Sequence, residues 1–138
     1  MKAIERLAQA IEYPDEIPAD SVDYSFSADD LEIRAQEANG RLTLSGTVFV
    51  PPRDGSGDET LVKLADYAAG RILREEAVLA WDPSGGAAML WQEFPADART
   101  DDLRRFFEVF MASLDWWRDR AENEGEMKPQ LPEFVIRP

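Results

Sequence analysis

The residue types that most often carry enzyme chemistry are missing from this chain. Its 138 residues include no histidine and no cysteine. Catalytic triads built on histidine, cysteine nucleophiles, and zinc sites with histidine or thiolate ligands are therefore excluded. The lack of cysteine also excludes disulfides. Any chemistry would have to rely on the 28 aspartate and glutamate carboxylates.

Three pairs of adjacent carboxylates are the first candidates for acid–base chemistry: Asp29-Asp30, Glu75-Glu76 and Asp101-Asp102. Catalysis by two carboxylates needs groups that face each other across a cleft. Neighbouring residues in a strand or a helix point in different directions. We therefore interpret the pairs as a turn, a strand edge and the first turn of a helix, and we do not expect an enzyme.

The glycine-rich stretch Asp54–Asp58 partly matches a calcium-binding loop, because oxygen-bearing residues occupy its first, third and fifth positions. An EF-hand loop also requires glycine at the sixth position and glutamate at the twelfth. This chain has Glu59 and Ala65 there. The glycines fit no phosphate-binding loop either, since no Lys-Ser or Lys-Thr pair follows them. We expect a solvated loop, no bound metal and no cofactor.

The charge of the chain is strongly negative and unevenly distributed. Twenty-eight acids against fifteen bases give −13, and residues 1–40 alone, with ten acids and three bases, carry −7. Phosphate backbones and anionic lipid would repel such a chain, so we expect neither nucleic acid nor a membrane surface as a partner. No apolar run approaches the ~20 residues of a membrane span, and acids interrupt the apolar N-terminus. We expect a soluble, cytoplasmic protein.

The hydrophobic pattern of the first half predicts one helix followed by three antiparallel strands. Apolar residues at helical spacing indicate a helix over residues 4–11. Alternating runs over residues 22–26 and 31–35 indicate two strands, and Asn39-Gly40 is a strong signal for the hairpin into the third. We interpret Gly46, which interrupts that third strand, as a bulge.

The second half predicts a helix, a hairpin and a longer helix. A helical period returns over residues 59–70, and a hairpin over residues 76–94 turns at the glycine-rich stretch 82–86. Thr100 is the expected N-cap of the last helix, and Gly125 is its expected end.

Two features of this last helix bear on partners. Trp116 and Trp117 are neighbours, about 100° apart around the helix axis, so both cannot face one core. We expect one of them at the margin of the core or against a partner. Arg118 and Arg120 alternate with acids and are interpreted as part of a solvated face.

The order α-β-β-β-α-β-β-α predicts an α+β domain, in which three helices pack on one five-stranded antiparallel sheet. We place this domain at residues 1–125. Residues 126–138 contain three prolines and are expected to form an extended tail. The apolar Phe134, Val135 and Ile136 could dock that tail onto the domain.

Three stretches of the chain resemble the class I type III secretion chaperones, the family of the Tir chaperones. Leu61–Gly70 resembles the family's second helix, with Asp66 where asparagine is frequent. Val78–Pro95 resembles the hairpin before the last helix, although Phe94 replaces the leucine before its proline. Leu103–Trp117 resembles the last helix itself, and the likeness covers about residues 1–122.

The resemblance implies a homodimeric chaperone of the bacterial cytoplasm that holds the N-terminal segment of a secreted effector in extended form, without nucleotide. It also implies that an ATPase of the secretion apparatus could be a partner. Family members bind effectors along the first helix and the sheet, often by adding a strand. The implied effector-binding residues are Ile4, Leu7, Ile11, Leu42, Leu44 and Val48. The implied dimer-interface residues are Leu61, Leu64, Tyr67, Ala68, Leu79 and Trp91.

Two other functions remain open at this point. The −7 charge of the first third would suit an acidic regulatory protein that sequesters a basic partner, such as a transcription activator. An enzyme that relies on carboxylates alone is the third class. Identification of the proteins that co-purify with the chain from its native cell would separate all three.

Overall fold

The computed structural model describes residues 1–71 and 76–127. The helices are α1 (Ala3–Ala10), α2 (Asp58–Arg71) and α3 (Thr100–Met127). The strands are β1 (Asp23–Ala28), β2 (Leu31–Ala38), β3 (Arg41–Phe49), β4 (Val78–Asp82) and β5 (Ala87–Pro95). The predicted α-β-β-β-α-β-β-α order and the α+β class are confirmed.

The five strands form one antiparallel sheet in the spatial order β1-β2-β3-β5-β4. β1 and β4 are therefore the two edges of the sheet. The β1–β2 turn at Asp29-Asp30 and the β2–β3 turn at Asn39-Gly40 have positive φ at both central residues. This conformation matches the two-residue turns whose twist suits a hairpin, so the interpretation of Asp29-Asp30 as a turn is confirmed.

One face of the sheet carries the hydrophobic core. Side chains from α1, α3 and alternate strand residues form a single buried cluster, to which α2 adds Leu64. Its largest fully buried side chains include Phe26, Ile33, Leu90 and Phe110. Strand residues on the opposite face are mostly polar and at least partly exposed. The chain thus builds one layer of helices on one layer of sheet.

Gly46 is required for packing, and the prediction of a bulge at this residue is wrong. Gly46 pairs with Leu90 in regular register, and the register shift between β3 and β5 lies further on, between Thr47 and Phe49. A Cβ atom at position 46 would lie 2.7 Å from Cδ2 of Leu114 on α3. The glycine therefore lets α3 approach the sheet closely.

Arg118 ties the end of β3 to α3. Its Nη1 donates a hydrogen bond of 2.8 Å to the carbonyl oxygen of Thr47. Since the β3–β5 register shifts at this residue, the side chain supplies a partner for a carbonyl in an irregular part of the ladder. The interpretation of Arg118 as part of a solvated face is wrong.

Of the two neighbouring tryptophans of α3, one is buried and the other lies at the margin of the core, as their angular separation on the helix predicts. Trp117 lies in the core with 2% of its surface exposed, and Trp116 is half-buried at the margin. The Arg120 guanidinium lies over the ring of Trp116 at 4.9 Å and over the ring of Tyr67 on α2 at 4.8 Å. Arg120 therefore joins α2 to α3 through cation–π contacts and is not a freely solvated residue.

Arg6 ties α1 to the connection between β5 and α3. Its Nη1 donates to the carbonyl oxygen of Ala98 and its Nη2 to the carbonyl oxygen of Ala96. The partners are 92 and 90 residues away in the sequence. These contacts close the N-terminal helix onto the second half of the chain.

The remaining candidates for chemistry occupy structural positions. Asp101-Asp102 lie in the first turn of α3, Glu76 is exposed just before β4, and Glu75 lies outside the described residues. Asp54 accepts a hydrogen bond of 2.9 Å from the N–H of Ser56. Within residues 1–71 and 76–127, no group of three acidic side chains could hold a metal ion. None of the described helices is long and apolar enough to cross a membrane.

The last helix extends further than its glycine predicts. It continues through Gly125 to Met127, so Gly125 is not the helix end that the sequence indicated. The expected domain boundary at residue 125 consequently falls within α3. Residues 128–138 lie outside the described residues, so the extended tail and the docking of its apolar residues stay predictions.

Candidate functional site

The six residues expected to bind an effector divide into one half-buried residue and five core residues. Ile11 is half-buried and follows the last turn of α1. The others are at most 5% exposed; they are Ile4, Leu7, Leu42, Leu44 and Val48. Side chains sealed in the core cannot contact a partner in this conformation, so the surface assignment of these five needs correction. They hold α1 and α3 on the sheet instead.

The exposed part of this region is the free edge of β1. The carbonyl of Val22 accepts the N–H of Glu37 on β2 at 2.8 Å. Alternate residues of an antiparallel strand point both backbone groups to the same side. The N–H and C=O groups of Asp23, Ser25 and Ser27 therefore point away from β2. We call these outward backbone groups the β1 edge.

Tyr13, in the loop after α1, lies against this edge. Its hydroxyl oxygen accepts a hydrogen bond of 3.4 Å from the N–H of Ser27. Its ring makes edge-to-face contacts with Tyr24 at 6.2 Å and Phe26 at 4.9 Å between centroids. Burial, followed by the neighbouring Tyr13 hydroxyl, raises the pKa of the Tyr24 hydroxyl above its usual range. Tyr13 thus covers one outward N–H of β1, whose outer side pairs with no other strand of the described residues.

A groove of about 200 Å³ opens beside Tyr13, between α1 and the loop that follows it. We call it the α1 groove. Its lining combines apolar and acidic side chains: Glu5, Ala8, Gln9, Glu12, Tyr13, Asp15 and Ile17. The Glu5 carboxylate also accepts the backbone N–H groups of Lys2 at 3.4 Å and Asp20 at 3.0 Å. The groove therefore combines apolar side chains that are at least partly buried, Ala8, Tyr13 and Ile17, with the exposed carboxylates of Glu12 and Asp15.

Four of the six residues expected at the dimer interface line the same groove, and the other two lie elsewhere. Leu61, Leu64, Ala68 and Leu79 line an apolar groove of about 300 Å³ between α2 and β4, together with Ala65, Ala80, Trp81 and Ala88. We call it the α2–β4 groove. Tyr67 stacks on Arg120 instead. Trp91 pairs with Val78 and Ser45 on the opposite face of the sheet, whereas Leu79 pairs with the core residue Leu90.

Sequence reasoning missed two exposed residues near this groove and one near the β1 edge. Trp81 is 51% exposed and Val62 is 60% exposed. The spacing of two from Leu79 to Trp81 could have placed that tryptophan on the same side of β4. Tyr13 had no such signal, because it lies in a loop and its contact with Ser27 is set by the tertiary fold.

The comparisons with known proteins agree with this architecture. Residues 2–118 match the Tir chaperone protein (CesT) family, and since that is most of the chain, the protein belongs to this family. No curated protein matches the sequence. The expected secretion-chaperone family and fold are therefore confirmed.

Three solved structures share the fold at low sequence identity. A chain of the HopA1-SchA chaperone-effector complex has a TM-score of 0.63 and 18% identity, with 85% of this chain and 91% of that chain covered. A chain of the ExsC-ExsE complex has a TM-score of 0.65 and 16% identity, covering 85% and 89%. A chain of the ExoT-SpcS complex from Pseudomonas aeruginosa has a TM-score of 0.56 and 15% identity, covering 83% and 92%.

Proposed function

We propose that this protein is a type III secretion chaperone that binds the N-terminal segment of an effector in extended form. Membership of the Tir chaperone family supports the chaperone role. The observation that carries the binding mode is the open β1 edge, where Asp23, Ser25 and Ser27 point their backbone groups away from the sheet. The similar solved folds include a chain of one complex named for a chaperone and an effector.

Strand addition suits a client that must remain unfolded. Hydrogen bonds to the backbone give affinity that tolerates many client sequences, and alternate side chains of the client add specificity. The residues just inside the β1 edge, Tyr24 and Phe26, already pack against Tyr13. A client strand would therefore pair with a strand whose side chains are already packed in place. Ile11 is half-buried and is the one member of the expected effector set that stays in this proposal.

The α2–β4 groove supports the second part of the proposal, a homodimer. The groove is lined by apolar side chains that include Trp81, which is 51% exposed, and Val62 on α2 is 60% exposed. Apolar surface of this kind on one protein is typical of a protein–protein interface. A second copy that packs α2 and β4 against the same elements would remove this surface from water in a two-fold arrangement.

The chaperone family supports a binding role without catalysis, in the cytoplasm of a bacterium. Delivery of the effector to an ATPase of the secretion apparatus belongs to the same proposal. Nothing in the geometry of the described residues favours the regulatory alternative over the chaperone, so that alternative enters only as an outcome of the test.

The test is affinity purification of the tagged protein from its native bacterium, with two variants at one position. Ser25→Pro removes one outward N–H and blocks strand addition, and an edge position can accept proline because that N–H makes no ladder bond. Ser25→Ala is the matched control. We expect the parent and Ser25→Ala to capture a secreted effector and folded Ser25→Pro to lose it. Capture of a transcription regulator alone, or of no protein, would contradict the proposal.

A further inference from the structure

The α1 groove has an excess of negative charge that its own neighbourhood does not balance. Residues 1–40 carry ten acids and three bases. Arg34 pairs with Asp23 at 2.6 Å, and Arg6 keeps its charge while its guanidinium binds the carbonyls of Ala96 and Ala98, so the acids of residues 1–40 still outnumber the bases by seven. The carboxylates of Glu12 and Asp15 at the groove therefore act in a region of net negative potential.

The shape of the groove fits a long cationic side chain better than a metal ion. No three acidic groups of the described chain come close enough together to hold a metal. Ala8, Tyr13 and Ile17 contribute apolar lining, and the carboxylates of Glu12 and Asp15 are exposed beside it. Arginine and lysine have this same division, an aliphatic stem and a charged head that stays near water.

Tyr13 connects the α1 groove to the β1 edge. Its side chain lines the groove, and its hydroxyl accepts the N–H of Ser27 at the edge. The hydroxyl holds the N–H of Ser27 at 3.4 Å, the long end of the hydrogen-bond range. A client strand that pairs with β1 would offer a carbonyl to the same N–H. The phenol oxygen is fixed to its ring, so the Tyr13 side chain, which contacts Phe26 at 4.9 Å between centroids, has to tilt to release this N–H.

On the basis of the proposed function, we propose that the α1 groove receives an arginine or lysine side chain of the segment that pairs with the β1 edge. In the free protein the Tyr13 hydroxyl accepts the hydrogen bond from the Ser27 N–H. In the complex a carbonyl of the bound segment accepts it instead. The recognised client is therefore an extended segment with apolar and small residues in alternation and a basic residue positioned to reach past Tyr13. The attraction between the basic residue and the acidic α1 groove gives specificity, while backbone hydrogen bonds to the β1 edge give affinity.

Two synthetic peptides test this inference. One is Leu-Ser-Val-Ser-Arg-Ser-Val-Ser-Leu, in which arginine shares one strand face with the apolar residues, and the other has citrulline, the neutral analogue of arginine, in its central position. Binding is followed by calorimetry and by the NMR shift of the Ser27 amide. We expect the arginine peptide to bind about three- to tenfold more tightly. The difference in affinity between the two peptides should decrease in 0.5 M NaCl, because salt at this concentration screens exposed charges that are more than about 10 Å apart.

A matched pair of double variants locates the effect. Glu12→Gln with Asp15→Asn should abolish the preference for arginine. Glu108→Gln with Asp115→Asn changes the net charge equally on the exposed side of α3 and should leave the preference intact. Equal affinity of the two peptides, a lack of binding by either, or an equal loss in both double variants would overturn the inference. Each of these results is compatible with effector capture from cells, so it is distinguishable from failure of the proposed function.

Discussion

Arg118 on α3 donates a hydrogen bond to the carbonyl oxygen of Thr47, 2.8 Å away, at the residue where β3 loses its register with β5. The helix thereby satisfies a carbonyl that the irregular ladder presents. Because the contact is partly buried, its loss removes a charged hydrogen-bond donor from a carbonyl that is partly shielded from water.

Replacement of Arg118 by methionine tests the strength of this contact. Arg118→Met keeps a long side chain and removes the donor, so we expect a loss of about 1.5–3 kcal/mol in the free energy of unfolding. Urea denaturation measures it. Arg104 is exposed on the same helix, and Arg104→Met should change stability by less than about 0.5 kcal/mol. Equal effects of the two substitutions would contradict the role assigned to Arg118.

Replacement of Gly46 by alanine tests the close approach of α3 to the sheet. The added methyl group would lie 2.7 Å from Leu114 Cδ2, and Leu114 is 1% exposed, with little room to move. We expect Gly46→Ala to cost about 1–3 kcal/mol. Adding Leu114→Ala should give a double variant more stable than the sum of the two single effects. Gly70 has open space around it, so Gly70→Ala in α2 should be neutral or stabilising.

Aspartate at two positions of the N-terminal region should separate binding from folding. Ile4 has no exposed surface, so Ile4→Asp buries a charge without a partner and should unfold the protein. Ile11 is half-buried, so Ile11→Asp should keep the fold and weaken effector capture. Thermal melting and co-purification on the same samples measure both. If Ile11→Asp unfolds the protein or binds effector normally, Ile11 is not part of the docking surface.

The proposed homodimer should have a mass of about twice 15.6 kDa and depend on the exposed residues beside the α2–β4 groove. Trp81→Ser should weaken dimerisation by about 2 kcal/mol or more, the effect of a central aromatic at an interface. Protomer stability should change little, since Trp81 is already 51% exposed. Val109 on α3 is equally exposed, and Val109→Ser should leave the dimer intact. A parent protein that stays monomeric at micromolar concentration in sedimentation would refute the dimer.

The carboxyl group of Asp23 should report on its contact with Arg34. Hydrogen bonding from the Arg34 guanidinium, 2.6 Å away, holds the pKa of Asp23 below its usual value of about 4. Since the folded-state pKa is lowered, the pair stabilises the fold above that usual value, and its contribution is lost as the pH falls through the lowered pKa. The two side chains are about half exposed, so the contribution is small. In an NMR titration, Arg34→Gln should raise the pKa of Asp23, whereas Arg41→Gln should not.

The order of elements could be predicted because its signals are local. Alternation over residues 22–26 and 31–35 and the turn residues Asn39-Gly40 define strands and a hairpin without knowledge of the tertiary fold. The bulge could not be placed, because Gly46 interrupts the strand pattern as a bulge residue would. Only the position of Leu114 shows that this glycine makes room for α3.

The candidate site was harder to predict, because periodicity identifies an apolar stripe but not what covers it. Leu42 and Leu44 lie under the protein's own helices, although the same alternation would suit a face that awaits a client. Leu79 and Trp91 were grouped as one interface, yet the register of β4 with β5 places them on opposite faces of the sheet. That register is a tertiary property that the apolar pattern alone does not fix.

The pairing of Arg6 with carbonyls 90 and 92 residues later also sets an order of events during synthesis. A ribosome adds about 5–20 residues per second. Ala98 is therefore synthesised on the order of 5–20 s after Arg6, and the hydrogen bond between them cannot form earlier. Helix α1 is thus translated well before its contact with the β5–α3 connection can form. A nascent chaperone consequently cannot complete the surface beside α1 until residue 98 has left the peptidyl-transferase centre.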